Sequence, residues 1–159
     1  MNLIKITLLA ILFSQASFAA EKIGRLGVGF TNQVKNDVPS LSFKLQKSKS
    51  FSFGGLLGLD TSDNGGWNAG LKAYRNIFDE PYLTFYAHFL GALINQKTDA
   101  VTDKTGFQFD MGLGSEFSFQ GLQSLGFSVE FGVSFSKIDD FSIQTSGSNF
   151  LVGAVHFYL

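Results

Sequence analysis

Phe127-Ser128-Val129-Glu130-Phe131-Gly132-Val133-Ser134-Phe135 decides the fold. Phe and Val hold every odd position, while Ser, Glu, Gly and Ser hold the even ones. Successive side chains of a strand point to opposite faces, so this stretch is a strand with one greasy face and one polar face. The character of the polar face matters most. A soluble sheet turns Lys and Glu to water. This one offers Gly and Ser with a single isolated charge, and its other face is crowded with Phe. Apolar outside and small, polar inside is the pattern of a barrel that stands in lipid.

Seven further stretches alternate in the same way. The expected strands are 23–31, 40–46, 50–60, 66–75, 82–94, 106–119, 125–136 and 150–159. Their apolar parity carries residues such as Val28 and Phe30, Phe43, Phe53 and Leu57, Trp67 and Leu71, Phe85 and Phe89, Phe107 and Phe109, and Val155 and Phe157. No charge falls on that parity except Arg75, at the expected end of strand four. A charge facing lipid at mid-bilayer costs about 2–4 kcal/mol, so this absence is what a membrane barrel requires. Most of the strands reach the roughly 9–11 residues that a tilted crossing needs. The expected fold is therefore all-β: a closed, antiparallel, eight-stranded up-and-down transmembrane β-barrel.

The connections alternate as well. Gln46–Lys49, Asn76–Pro81 and Gln120–Ser124 are short. Thr31–Pro39, Thr61–Gly65, Gln96–Thr105 and Lys137–Asn149 are longer on average and richer in Asp, Asn and Lys. Short periplasmic turns and longer external loops are the habit of outer-membrane barrels, and an even strand count puts both termini on the periplasmic side. On this topology Phe30, Trp67, Phe107 and Phe135 lie near the external rim. Phe43, Phe51, Phe85, Phe119, Phe127 and Phe157 lie near the periplasmic one, giving two aromatic girdles.

The N-terminus fits an exported protein. Lys5 is a positive n-region, Ile6 to Phe13 a short apolar core, and Ser17-Phe18-Ala19 a small-residue cleavage site. The expected division is a signal peptide over 1–19 and one barrel domain over 20–159. The leader takes Lys5 with it, so 11 basic residues face 13 acidic ones and the net charge falls to −2. No basic excess points to nucleic acid. The absence of Cys excludes disulfides, thiolate nucleophiles and Cys-metal sites. Nineteen Phe suit a lipid face, and 18 Gly suit strands that curve sharply or a lumen with little room.

Signal peptide, eight alternating strands and the closing run Leu151-Val152-Gly153-Ala154-Val155-His156-Phe157-Tyr158-Leu159 together resemble the small Gram-negative outer-membrane barrels of the OmpA/OmpX-like class. The resemblance implies insertion by the barrel-assembly machinery, which reads a last strand of this kind. Val155, Phe157 and Leu159 are the residues that would carry the signal. It also implies outer-membrane lipids as partners, an outer-membrane location and, in most of the class, a monomer. The class usually ends on an aromatic, and this chain ends on Leu159 with Phe157 and Tyr158 before it.

The inward parity brings Arg25, Lys44, Lys72, Glu116 and Glu130 to similar heights in the lower half of the barrel, with Asp110 above them. Buried charges without partners are costly, so these are expected to pair. An eight-stranded barrel has an interior just wide enough for its side chains to fill, so the network is read as a fixed plug, with a narrow conduit for ions or small solutes as the alternative.

His88 and His156 also face inward. Some small outer-membrane barrels are lipid-modifying enzymes that use His with Ser or an acid. A nucleophile needs a base in reach and a third orienting group, and the sequence assembles no such set. Asp60-Thr61-Ser62-Asp63-Asn64-Gly65 lacks the ligand spacing and bidentate acid of a Ca²⁺ loop and reads as an Asx turn. Gly24-Arg25-Leu26-Gly27-Val28-Gly29 lies within a strand and is no nucleotide fingerprint. No catalytic, cofactor or metal site is expected. The reading is a non-enzymatic structural or surface-interaction barrel. A lipid-modifying enzyme and a soluble secreted binder remain the less favoured alternatives.

Overall fold

A computed structural model of the chain describes residues 22–36, 38–99, 102–146 and 151–159. The expected signal peptide lies outside them. Nine hydrogen-bonded segments appear in chain order: β1 Leu26–Thr31, β2 Ser40–Gln46, β3 Phe51–Asp60, β4 Gly66–Glu80, β5 Leu83–Asp99, β6 Thr102–Phe119, β7 Leu122–Lys137, β8 Phe141–Thr145 and β9 Val152–Tyr158. Each pairs antiparallel with its neighbours from β1 to β7. β1 pairs with β9, β9 pairs with β7, and β6 pairs with β7, so the sheet closes on itself. The result is the closed eight-stranded barrel that the alternation predicts.

The eighth stave is β8 and β9 together. Thr145 lies opposite Val133 and Val152 opposite Glu130. Ser146 N–H continues the β7–β8 ladder by donating to Gly132 O at 2.9 Å. The strand expected at 150–159 stands as β9, and β8 adds Phe141–Thr145 to the same stave. This corrects one sequence expectation, because the connection expected over Lys137–Asn149 holds a tight hairpin and a strand. Its alternation, Phe141-Ser142-Ile143, is only one repeat long, too little to register as periodicity.

β4 to β7 run 15–18 residues, whereas β1 and β2 run six and seven. Strand four does not stop at Arg75. It continues through a bulge at Ile77 to Glu80, and the turn is Pro81-Tyr82. Proline in the sequence marked the turn correctly, but the bulge shifts parity and hid the last five residues. The β6–β7 turn uses Gly121 at φ +86°, a left-handed conformation that glycine adopts freely.

The two faces sort as the parity requires. Leu71 is 78% exposed on the outside, Leu59 74% and Phe30 65%. Inside, Lys44, Lys72, Asp110, Glu116 and Glu130 are each buried. Among the aromatics the sorting is by hydroxyl. Tyr74, Tyr86 and Tyr158 all point inward, and the exposed rings are Phe and Trp67. A ring needs room in so narrow a lumen, and glycine on the adjacent strand supplies it. A Cβ at Gly114 would lie 2.7 Å from Tyr86 Cε2 and 2.8 Å from Glu130 Cγ. Gly114→Ala is therefore expected to displace Tyr86 and destabilise the barrel by about 1–3 kcal/mol, read as a lower urea midpoint in lipid vesicles. An unchanged midpoint would mean that the ring is not seated there.

Candidate functional site

The lumen is the site, and its residues stack from the end that carries β1's start and β9's finish. At that rim Arg25 lies half-exposed. Its Nη2 donates to Tyr158 O at 2.6 Å and Ser124 Oγ at 2.9 Å, and its Nε to Leu159 O at 3.2 Å. The sequence placed Arg25 in the lumen network. The ladder of β1 begins only at Leu26, so Arg25 is released from the inward parity and holds the last strand's carbonyls instead.

Lys22 takes that place. Its Nζ lies 2.8 Å from Glu116 Oε1, and Lys44 Nζ lies 2.8 Å from Glu116 Oε2. Tyr158 Oη donates to the same carboxylate at 2.8 and 2.9 Å, and Ser128 Oγ adds a bond at 3.2 Å. A carboxylate with this many donors is compensated despite its burial. The Lys44 ammonium sits 4.6 Å from the ring centres of both Tyr74 and Tyr86, which meet edge to face at 5.2 Å, so the aromatic pair helps hold a cation that has one acid among the described residues.

Above this layer lies the second carboxylate. Glu130 pairs with Lys72 and accepts the Tyr86 hydroxyl at 2.8 Å, and His88 Nε2 lies 3.7 Å away. Lys72 Nζ also donates to Gln33 Oε1 at 2.6 Å. Gln33 Nε2 in turn donates to Asp110 Oδ2 at 3.0 Å, and Gln108 Nε2 reaches both oxygens of Asp110 at 2.8 and 2.9 Å. Asp110 thus receives three amide bonds and has no cation within ion-pair distance among the described residues.

Gln33 belongs to the connection 32–39, which the sequence places outside the barrel. It folds into the mouth. Gln33, Val34, Asn36 and Val38 are all buried. Asn36 Nδ2 donates to Trp67 O at 3.1 Å and Asn95 O at 3.3 Å, and Asn68 Nδ2 donates to Asn36 Oδ1 at 3.0 Å. Val34 seals the top by packing with Leu56, Leu90, Ala92 and Ile94. The lumen is therefore polar below and mixed above, where this apolar cluster shares the space with Asn36, Asn68, Asn95 and Gln108. Val34 and Val38 were the available signal, two apolar residues in a connection otherwise rich in Asn, Asp and Lys.

Among the described residues neither histidine is assembled into a nucleophile–base–acid set. Ser42 Oγ and His156 Nε2 lie 2.9 Å apart, meeting across the bare backbone of Gly29, which pairs with both residues. His156 Nδ1 has no partner among the described residues, so the orienting group of a nucleophile–base pair is missing. Both residues are buried in filled space. His88 likewise has no hydrogen bond at either ring nitrogen. The Asp60 turn is an Asx turn: Ser62 N–H donates to Asp60 Oδ1 at 2.9 Å. The residues expected to direct assembly, Val155, Phe157 and Leu159, line one outward row of β9 and its end.

The fold has a counterpart among solved structures. The crystal structure of the N-terminal β-barrel domain of Pseudomonas aeruginosa OprF superposes with a TM-score of 0.65, at 12% identity, over 87% of this chain and 100% of that one. At that identity the likeness is one of fold. No protein-family model matches the chain, and no curated protein matches it in sequence.

Proposed function

We propose that the chain is a non-enzymatic barrel of a Gram-negative outer membrane, exported with its leader removed, whose lumen is a permanent plug. Its role is structural or one of surface interaction. The observation that carries this reading is the unbroken contact chain along the lumen: Lys22, Glu116, Lys44, the tyrosine pair, Glu130, Lys72, Gln33, Asp110 and the apolar seal above it. Lys22, Lys44 and Lys72 each contact a carboxylate in it and Asp110 is held by amide donors, so each charge has a compensating neighbour within the protein. Support for the membrane comes from the outer face. So many exposed Phe and Leu side chains without an internal charge fit hydrocarbon and not water. The likeness to the OprF barrel agrees with it. Outer-membrane lipids and the assembly machinery are the partners this reading implies, with a monomer as the resting state.

Two measurements test it together. In planar bilayers the protein is expected to conduct at background. A cysteine at Asp63 is expected to label on intact cells with an impermeant maleimide, and one at Ser50 only after the outer membrane is permeabilised. A stable open-channel current would replace the plug with a conduit, and the opposite labelling pattern would invert the topology.

A further inference from the structure

The exception on the outer face is Arg75. It lies opposite Phe51, the first residue of β3, with its guanidinium 4.6 Å from the Phe51 ring centre. Beside it is the β2–β3 turn with Lys47 and Lys49, both exposed. That turn is tied to the next residue of β4: Asn76 N–H donates to Ser50 O and Asn76 Nδ2 to Lys49 O, each at 2.9 Å. Three cations are thus gathered on one rim of the barrel. Among the described residues none of them has a carboxylate within ion-pair distance. Asp79, on the same strand, faces the other way and accepts from Thr84 Oγ1 at 2.6 Å and Gln46 Nε2 at 3.4 Å.

One outward row above Arg75 begins a groove. It occupies about 810 Å³ on the outside of β3–β5, with Gly55, Ala73 and Gly91 in its floor and Phe43, Phe53 and Phe89 in its walls. From Ala73 to Ala69 it climbs four residues, or roughly 13 Å of strand. Small residues on either side of Leu71 leave an apolar recess in an otherwise Phe-studded face. A cationic, aromatic-backed rim joined directly to an apolar recess matches one kind of molecule.

We infer that this face binds a phospholipid of the periplasmic leaflet, its phosphate held by Arg75 with Lys47 and Lys49 and one acyl chain laid in the groove. The inference rests on the membrane reading above, which sets the rim at headgroup level. A guanidinium suits a phosphate because it presents several donors in a plane and stays charged. The Phe51 ring keeps it from folding away, and basic residues at a membrane surface attract anionic headgroups in any case. The groove adds selectivity, since a chain held between Phe walls must belong to a lipid whose headgroup reaches Arg75.

Native mass spectrometry of the whole barrel in detergent tests this, with phosphatidylglycerol and a diacylglycerol of the same chains as probes. The wild type is expected to retain phosphatidylglycerol and release diacylglycerol. Arg75→Gln, and separately Lys47→Gln with Lys49→Gln, should each weaken retention about tenfold, which is 1.4 kcal/mol. Gly55→Phe, whose Cβ meets nothing closer than 3.5 Å, should do the same by filling the groove without touching a cation. Equal retention of both lipids by the wild type, or unchanged retention by the variants, would overturn the site. Co-flotation with vesicles reads the underlying claim separately. A wild type that does not float would sink the membrane reading, whereas variants that float but lose the lipid would support the site.

Discussion

Glu130→Gln is expected to lower the stability of the lipid-inserted barrel by about 3–5 kcal/mol, the loss typical when one partner of a truly buried pair is removed. Glu130 and Lys72 are both buried, and the carboxylate also takes the Tyr86 hydroxyl. A neutral amide keeps the volume but removes the charge paired with the Lys72 ammonium, which is left with neutral contacts such as Gln33 and the Tyr74 face. Adding Lys72→Met removes the stranded charge and should restore part of the loss, a coupling that a double-mutant cycle reads directly. The contrast is Lys104, whose 2.6 Å contact with Asp139 is drawn between side chains that are 36% and 61% exposed. Lys104→Gln should cost no more than about 1 kcal/mol, because water screens that pair. Urea midpoints in vesicles check all five proteins: the wild type, Glu130→Gln, Lys72→Met, their double variant and Lys104→Gln. Equal, small losses for Glu130→Gln and Lys104→Gln would mean that the lumen holds enough water to screen Glu130, and the plug would be abandoned.

The part of this fold that was legible in the sequence is the part governed by period two. Phe127–Phe135, Phe107–Phe117 and Leu83–Leu93 each alternate over a long run, and barrel closure follows from the need to leave no strand edge in lipid. Inward parity likewise brought Lys44, Lys72, Glu116 and Glu130 to one interior. What escaped are the features that break the period. The bulge at Ile77 extends β4, and the eighth stave is built from two segments, β8 and β9. Arg25 obeys the parity of a strand that has not yet started. Gln33 reaches Asp110 and Lys72 only because its connection turns inward, a tertiary event with no periodic signature. The assignment of Lys44 to Glu116 and of Lys72 to Glu130 is equally tertiary. Parity gives a face, while pairing depends on which strands lie opposite across the lumen.

Leu71→Arg is the sharpest test of what surrounds the barrel, because the chain supplies its own comparison. Leu71 and Arg75 lie on one strand and one face, four residues apart. Leu71 is the most exposed of the large outward side chains at 78%, with Gly55 and Gly91 beside it in register. In the proposed orientation it faces the hydrocarbon, where an Arg costs about 2–4 kcal/mol, whereas Arg75 lies near the headgroups, where the cost falls to about 0–1 kcal/mol. Leu71→Arg is therefore expected to impair assembly, seen as loss of the heat-modifiable band and of protein level. Phe131→Arg, on the outer face of β7, should behave in the same way. Arg75→Leu should assemble normally and change stability little. Asp63→Arg, in the exposed turn after β3, should also be tolerated although it alters the charge by more. In water the prediction reverses, since replacing an exposed Leu by Arg relieves an apolar surface. Normal or improved folding of both Leu71→Arg and Phe131→Arg would therefore assign the barrel to an aqueous compartment and leave its Phe-rich face in need of a protein partner.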